Sequence, residues 1–456
     1  MNFNTFEFLL IFLPVTLVLF YIVPARFRLV VLLTSSLLFY GYSGLQALGA
    51  MIIAIVWAFG LVSLVARDNS RLKLTLAISM PVVILFLFKY LGFTLENFGL
   101  DIAKSAWPFS LIASIVLPAG ISFYTFQLIS YVFDVREGKV KIERNPLRFA
   151  TYISFFPQLI AGPIVRYEAI QDQLTKIQQA QSLRPDISTG VAFLAFGLTG
   201  KVLISDVLSL LIARYSHVDY TNVGTSTDAA FLILAYSFKI YFDFWAYSLM
   251  AIGLGKLFCI NLPRNFAEPY KSKNPKEFWR KWHITLSYWL RDYFYLRIGG
   301  NRRYAINILF VFAACGLWHG AGWNFIVWGL YHAFFIILYH FTRELWERAP
   351  SWFQVTITFL IVTFSWPLFF TDPAKYLTIL GRLIGAYGST GESVYDASVW
   401  FVIAIAAVVT FLMSEDRWLY TKRQTFLRSS PYLHAAMIFI CILFLRFSDT
   451  FIYFRF

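Results

Sequence analysis

The chain has 456 residues, 59% of them hydrophobic, 20% aromatic and only 14% charged, with a mean hydropathy of +0.63 and a net charge of +14. No polar stretch is long enough to bury a core of its own, so a soluble enzyme is excluded, and with it a nucleic-acid-binding module. The composition is that of an all-α polytopic membrane protein.

A bilayer core about 30 Å thick takes about 20 apolar residues as helix. Runs of that kind recur at 6–23, 28–44, 46–66, 74–92, 109–133, 188–213, 229–260, 304–318, 323–341, 353–370, 398–413 and 433–447. They predict roughly 11 to 13 transmembrane or re-entrant helices. One membrane-embedded domain is expected over 1–456: N-terminal helices to 110, a motif-bearing core over 111–345, and C-terminal helices over 346–456. The first run ends near Val23-Pro24-Ala25, a loose likeness to a cleavage site, but Glu7 and no Lys or Arg precedes it. A secretion signal needs a positive start, so the run reads as an uncleaved helix. Arg26 and Arg28 follow at once, which places the N-terminus outside and this loop in the cytoplasm.

Three places break the helical pattern. Pro118 and Gly120 interrupt an apolar run that continues to Gln127, predicting a kinked or broken helix. Phe155-Phe156-Pro157-Gln158-Leu159-Ile160-Ala161-Gly162-Pro163-Ile164 is too short between breakers to span, and reads as re-entrant. Such backbone is tolerated at membrane depth only where protein or a water-filled cavity surrounds it. The stretch 264–303, rich in Pro, Lys and aromatics, reads as an interfacial amphipathic helix with flanking loops. On that helix Arg280, His283 and Ser287 would share a face, while Asp292 would fall opposite and pair with Arg291 or Arg297.

Positive charge gathers in the loops, at Arg67/Arg71/Lys73, Arg136 to Arg148, Arg264 to Lys281, Arg297/Arg302/Arg303 and Lys422/Arg423/Arg428. Topology accounts for most of it. The 264–303 cluster also flanks a histidine and alternates with aromatics, which suits an anionic ligand. Cys259, Cys315 and Cys441 lie in apolar runs, with no disulfide framework and no metal-ligand spacing. Cys315 would share a helical face with His319, but a small buried thiol is the plainer reading.

Two histidines stand in Trp-His contexts, His283 in Arg280-Lys281-Trp282-His283 and His319 in Trp318-His319-Gly320-Ala321. An ionisable group inside an apolar chain is costly and marks function. His319 is the stronger candidate: an apolar site keeps its imidazole neutral and able to take a proton, as a general base for a hydroxyl requires. Small residues around it permit close helix approach or a passage beside the ring. His332 and His340 read as packing groups, His217 and His434 as loop or helix-end residues.

Together these motifs resemble the membrane-bound O-acyltransferases, in particular their bacterial alginate O-acetylase branch. The likeness rests on Pro118 to Gln127, Phe155 to Ile164, Tyr241-Phe242-Asp243-Phe244, Phe278 to Ser287, Trp289-Leu290-Arg291-Asp292-Tyr293, Gly299-Gly300-Asn301-Arg302, Trp318 to Ala321 and Phe451 to Phe456. It implies a fold with a central tunnel, His319 as the catalytic histidine and His283 as its partner, donating to the developing oxyanion or holding the acyl donor. It implies donor-binding roles for Arg280, Lys281, Ser287, Asn301, Arg302, Arg303 and Trp318, and a tunnel or re-entrant lining that includes Gln127, Gln158, Pro163 and Asp243. No cofactor would be permanently bound. Cytoplasmic acetyl-CoA would give an acetyl group that crosses the inner membrane to a periplasmic SGNH-type acetyltransferase or acceptor protein, for an alginate-like exopolysaccharide.

The chain departs from the pattern at Trp245-Ala246 and Leu249, where smaller or more polar residues are expected, and at Arg297. The first change would alter the tunnel wall and with it the acceptor. Two rival readings stand beside this one: D-alanyl transfer to teichoic acid within the family, and a polysaccharide or small-molecule transporter. A transporter needs counter-ion pairs near the midplane, and the spans show few carboxylates to supply them.

Overall fold

The computed structural model describes residues 1–67, 70–100, 117–216, 224–386, 393, 395, 397–415, 419–420, 430–445 and 451. His217, the 109–116 part of a predicted span, Lys422, Arg423, Arg428 and the terminal motif beyond Phe451 lie outside them. Among the described residues every regular element is helical. The protein is all-α and multi-pass: Leu45–Ala66, Arg71–Asn97, Ile187–Ala213, Ser226–Leu257, Trp323–Arg348 and Ser351–Phe369 are long and apolar enough to cross a membrane. Shorter apolar helices occupy Glu7–Ile22, Ala397–Leu412 and Pro431–Phe444.

Packing divides the chain into two compact units, one of residues 1–194 and 248–263, the other of 195–247 and the described residues from 264 onward. The first begins with α1 (Leu13–Ile22), α2 (Ala25–Gly41), α3 (Leu45–Arg67) and α4 (Arg71–Leu85). The Leu45–Ala66 and Arg71–Asn97 windows are only 39% and 28% buried, so most of their apolar side chains face lipid. Next come α5 (Ile121–Arg136), α6 (Pro146–Ser154), α7 (Phe156–Leu159) and α8 (Tyr167–Gln179). The predicted break is the start of α5: Gly120 has φ 74°, and a Cβ there would lie 2.4 Å from the Leu159 carbonyl oxygen. Only glycine fits both demands.

The stretch read as re-entrant, Phe155 to Ile164, is one short helix, α7, set off from α6 at Phe155 and followed by irregular backbone, and all of it is buried. Its polar groups turn inward. Gln158 Nε2 donates to the Tyr152 carbonyl at 2.5 Å, and Tyr152 Oη to the Val165 carbonyl at 2.9 Å. Amphipathic helices occur outside 264–303, among them α8, which buries Tyr167, Ile170, Leu174 and Ile177 on one face. Arg28, also buried, donates to the Ala180 and Gln181 carbonyls just past its end, where helix carbonyls lack partners.

The chain then enters α9 (Ile187–Thr199), a π turn at Gly200–Ser205, α10 (Asp206–Ser216) and the long α11 (Ser226–Leu257). With its apolar window 83% buried, α11 is packed all round. The second unit continues with α12 (Pro275–Lys281), α13 (Ile284–Leu290), α14 (Tyr304–His319), α15 (Trp323–Arg348), α16 (Ser351–Ser365), α17 (Pro373–Leu383), α18 (Ala397–Leu412) and α19 (Pro431–Phe444). The single interfacial helix expected within 264–303 is replaced by two short helices, because the chain breaks at Trp282-His283. There His283 takes φ 43°, ψ 56°, a left-handed conformation that no α-helix continues through.

Candidate active site

The site is built where α14 ends. Gly316 and Gly329 let α14 and α15 meet backbone to backbone: a Cβ on Gly316 would lie 2.1 Å from the Phe325 carbonyl oxygen, and one on Gly329 2.1 Å from that of Phe312. This is the close approach expected of the small residues near His319. His319 is the last residue of α14 and is buried, with its ring edge-to-face against Trp318 (4.9 Å), Trp328 (5.1 Å) and Phe369 (5.3 Å).

His283 is completely buried at the α12–α13 break, against Phe244 (4.7 Å) and Trp318 (5.6 Å). Trp318 thus touches both imidazoles, and the two histidines share one aromatic chamber. The break is held from outside the helices. Ala267 N–H donates to the Lys281 carbonyl at 3.0 Å, and Ile284 N–H to that of Asn265 at 2.9 Å. Asn265 Oδ1 lies 3.1 Å from His283 Nδ1, 2.9 Å from Thr285 Oγ1 and 3.3 Å from the Thr285 backbone nitrogen. Burial lowers the His283 pKa to about 3, so the ring is neutral at physiological pH. Sequence reasoning missed Asn265, which lies 18 residues before His283 and carries no mark of its own.

A cavity of about 270 Å³ adjoins the chamber, walled by Trp279, Arg280, Ser287, Asn301, Phe312 and Cys315 among others. Trp279 packs on Trp328 at 5.6 Å and Trp328 on His319 at 5.1 Å, so along this path two indoles stand between cavity and imidazole, and neither His283 nor His319 lines any of the described cavities. A second, polar recess of about 500 Å³ shares Lys276 and Arg280 with the first and adds His340, Arg343, Glu277 and Glu347. Of the donor-binding candidates, Arg280, Ser287 and Asn301 therefore come together. Lys281 is instead ion-paired with Glu277 at 2.7 Å, while Arg302 and Arg303 are exposed in a 3-10 turn and line neither space. Ser287 no longer shares a helix with Arg280. Its hydroxyl donates to the Trp282 carbonyl at 3.3 Å, and its N–H to that of His283 at 3.0 Å. Asp292 pairs with Arg291 at 2.6 Å, as expected.

The other described histidines and Cys315 are held against neighbouring side chains. His332 is buried with Nε2 3.0 Å from Ser365 Oγ, and His340 packs on Tyr304 at 4.2 Å. His434 is buried in the first turn of α19, and Cys315 is buried and free. Gln127, Gln158 and Pro163 are buried within the first unit.

Asp243 does not line any of the described cavities; it is buried 2.7 Å from Lys201, which also meets Asp206 at 2.6 Å. The expectation of few intramembrane counter-ions overlooked this cluster. On a regular α-helix, positions five apart diverge by about 140°. The π turn, with Asp206 N–H bonded to the Lys201 carbonyl, brings the two side chains together. Of the residues that depart from the expected pattern, Trp245 and Ala246 stand beside Gly200, next to Lys201, and Trp245, with Tyr241 and Phe242, walls a separate cavity of about 220 Å³.

Comparison with known proteins gives a coherent set of matches. Residues 143–381 match the profile of the membrane-bound O-acyltransferase family. The chain is 35% identical to a probable alginate O-acetylase of Azotobacter vinelandii, over 86% of this chain and 79% of that protein. It is 34% identical to a peptidoglycan O-acetyltransferase of Helicobacter pylori, over 87% and 81%. Identity to a teichoic acid D-alanyltransferase of Bacillus subtilis is 30%, over 55% of this chain and 66% of that one.

Proposed function

The chain belongs to the membrane-bound O-acyltransferase family, and on that premise we propose that it moves an acetyl group from cytoplasmic acetyl-CoA across the bacterial inner membrane. The acetyl group serves O-acetylation of an extracellular, alginate-like polysaccharide through a periplasmic SGNH-type acetyltransferase or acceptor protein. The N-terminus is periplasmic, with Arg26 and Arg28 on the cytoplasmic side. One observation carries this reading: two buried imidazoles flank Trp318 in a chamber beside a cavity that Arg280, Ser287 and Asn301 help to wall.

In the proposed reaction His319 takes the proton of an acceptor hydroxyl as its oxygen closes on the thioester carbonyl carbon. The tetrahedral intermediate collapses with rupture of the carbon–sulfur bond, and the proton passes from His319 to the departing thiolate. Acetyl-CoA is a substrate here, so no resident cofactor is needed. Arg280 and Lys276, which border both the cavity and the polar recess, supply cationic groups for its phosphates, whereas Arg343 is paired with Glu347 at 2.7 Å. The aromatic walls keep water from competing with the acceptor.

Purified protein in lipid nanodiscs, given acetyl-CoA and the periplasmic partner, is expected to release free coenzyme A and to leave an acetyl ester on the partner or polymer. Turnover with a D-alanyl-loaded carrier protein but not with acetyl-CoA would move the assignment to the sister reaction. Net movement of polymer with no thioester cleaved would replace both with transport.

A further inference from the structure

The break that carries His283 is completed by a residue from outside it. Backbone pairing of 265–267 with 281–284 fixes Asn265 beside the histidine. Its side chain then gathers three donors onto one atom, Thr285 N–H, Thr285 Oγ1–H and the His283 Nδ1 position, at 3.3, 2.9 and 3.1 Å. Amide oxygen and nitrogen have nearly the same shape, but a backbone N–H can only donate, so the atom facing it is the oxygen. An oxygen that accepts from Thr285 must also accept from the ring. Nδ1 therefore carries the proton, and in a neutral imidazole the lone pair stays on Nε2.

We propose that Asn265 is a positioning residue of the transfer site, fixing His283 as the Nδ1–H tautomer so that Nε2 meets the reactants as a hydrogen-bond acceptor. This rests on the reading of His283 as part of the acyl-transfer site. It replaces one of the two roles first open to His283, since donation to an oxyanion from Nε2 needs the opposite tautomer. The left-handed backbone of His283 gives the contact a second purpose. A non-glycine residue at φ 43° is held there by its surroundings: Asn265 bonds the ring and the two residues that follow, Ile284 and Thr285, while Ala267 N–H holds the Lys281 carbonyl before it.

The test reads the tautomer directly. Full-length protein labelled with 15N-histidine is studied by NMR in lipid, with His283→Gln used to assign the His283 resonances by difference. The wild type is expected to show a protonated Nδ1 and an unprotonated Nε2. Asn265→Ala is expected to shift His283 toward Nε2–H and to lower kcat by about 10- to 100-fold, with KM for the donor within about twofold, as for other sites whose histidine loses its orienting partner. Asn265→Asp keeps an acceptor at the same place and is expected to retain the Nδ1–H tautomer and most of kcat.

Nε2–H in the wild type overturns the proposal, as does an unchanged tautomer or an unchanged kcat in Asn265→Ala. Should that variant fail to insert, the wild-type and Asn265→Asp spectra still decide, because Nε2–H in either contradicts it. The resonances need no turnover. An inactive wild type therefore counts against the acyl-transfer reading alone, and the spectra judge Asn265.

Discussion

His283 and His319 are both buried, yet they reach the same chamber by different means, one at the end of a long helix and the other at a break held by Asn265. The sequence marks both through their tryptophan neighbours, but not Asn265, whose role exists only once 265–267 lies beside 281–284. Burial of His283 has a consequence for stability. Its pKa falls from an ordinary 6.5 to about 3, so between those values the unfolded chain binds a proton that the native site refuses. Stability contributed by the neutral ring is complete above 6.5 and is lost as pH falls toward 3, by up to about 1.4 kcal/mol per pH unit. Thermal unfolding from pH 7.5 to 5.5 is therefore expected to fall more steeply for the wild type than for His283→Gln. His332 is present in both proteins, so its contribution cancels; equal slopes would mean that His283 is protonated in the folded protein.

Helices were the most legible level. The apolar runs at 46–66, 188–213 and 398–413 appear as helices within a few residues of the bounds read from hydropathy alone, and the run at 323–341 as a helix that continues to Arg348. Breaks written in Pro and Gly, at 118–120 and 155–163, were legible for the same local reason. The break at His283 was not, because nothing in Phe278 to Leu290 stops a helix by itself and the stop is tertiary. The amphipathic α8 was hidden by its polar face, and the Lys201–Asp206 pair by a π turn that hydropathy does not register. The contact of α14 with α15 gives the prediction that belongs here. Gly316→Ala would press a methyl group to 2.1 Å from a carbonyl oxygen that cannot rotate away, costing about 1–3 kcal/mol or more. Gly49→Ala in α3 meets nothing within 4 Å and is expected to leave stability unchanged or slightly raised. Comparable melting temperatures for the two variants would show that α14 and α15 do not meet in this way.

On the scale of the whole molecule, the excess of positive charge is read as topological in most loops, and geometry ranks the few cations proposed to serve the site. Arg280 and Lys276 border both the apolar cavity and the polar recess, whereas Arg302 and Arg303 are solvent-exposed and line neither. Sequence position alone could not rank them. Arg280→Gln is therefore expected to raise KM for acetyl-CoA by about 3- to 10-fold with a smaller effect on kcat, because a phosphate contact remote from the reacting carbon contributes mainly uniform binding. The Arg302→Gln, Arg303→Gln double variant is expected to change KM less than twofold; the reverse order would place the donor elsewhere. The account as a whole stands on His319 as the proton acceptor in acyl transfer. The most direct measurement compares acetyl transfer from labelled acetyl-CoA by purified wild type, His319→Ala and Cys315→Ser, each first shown to insert and melt normally. The prediction is a loss of at least about 10²-fold in His319→Ala with near-normal turnover in Cys315→Ser, whereas full activity without the imidazole, or loss with the thiol alone, would contradict it.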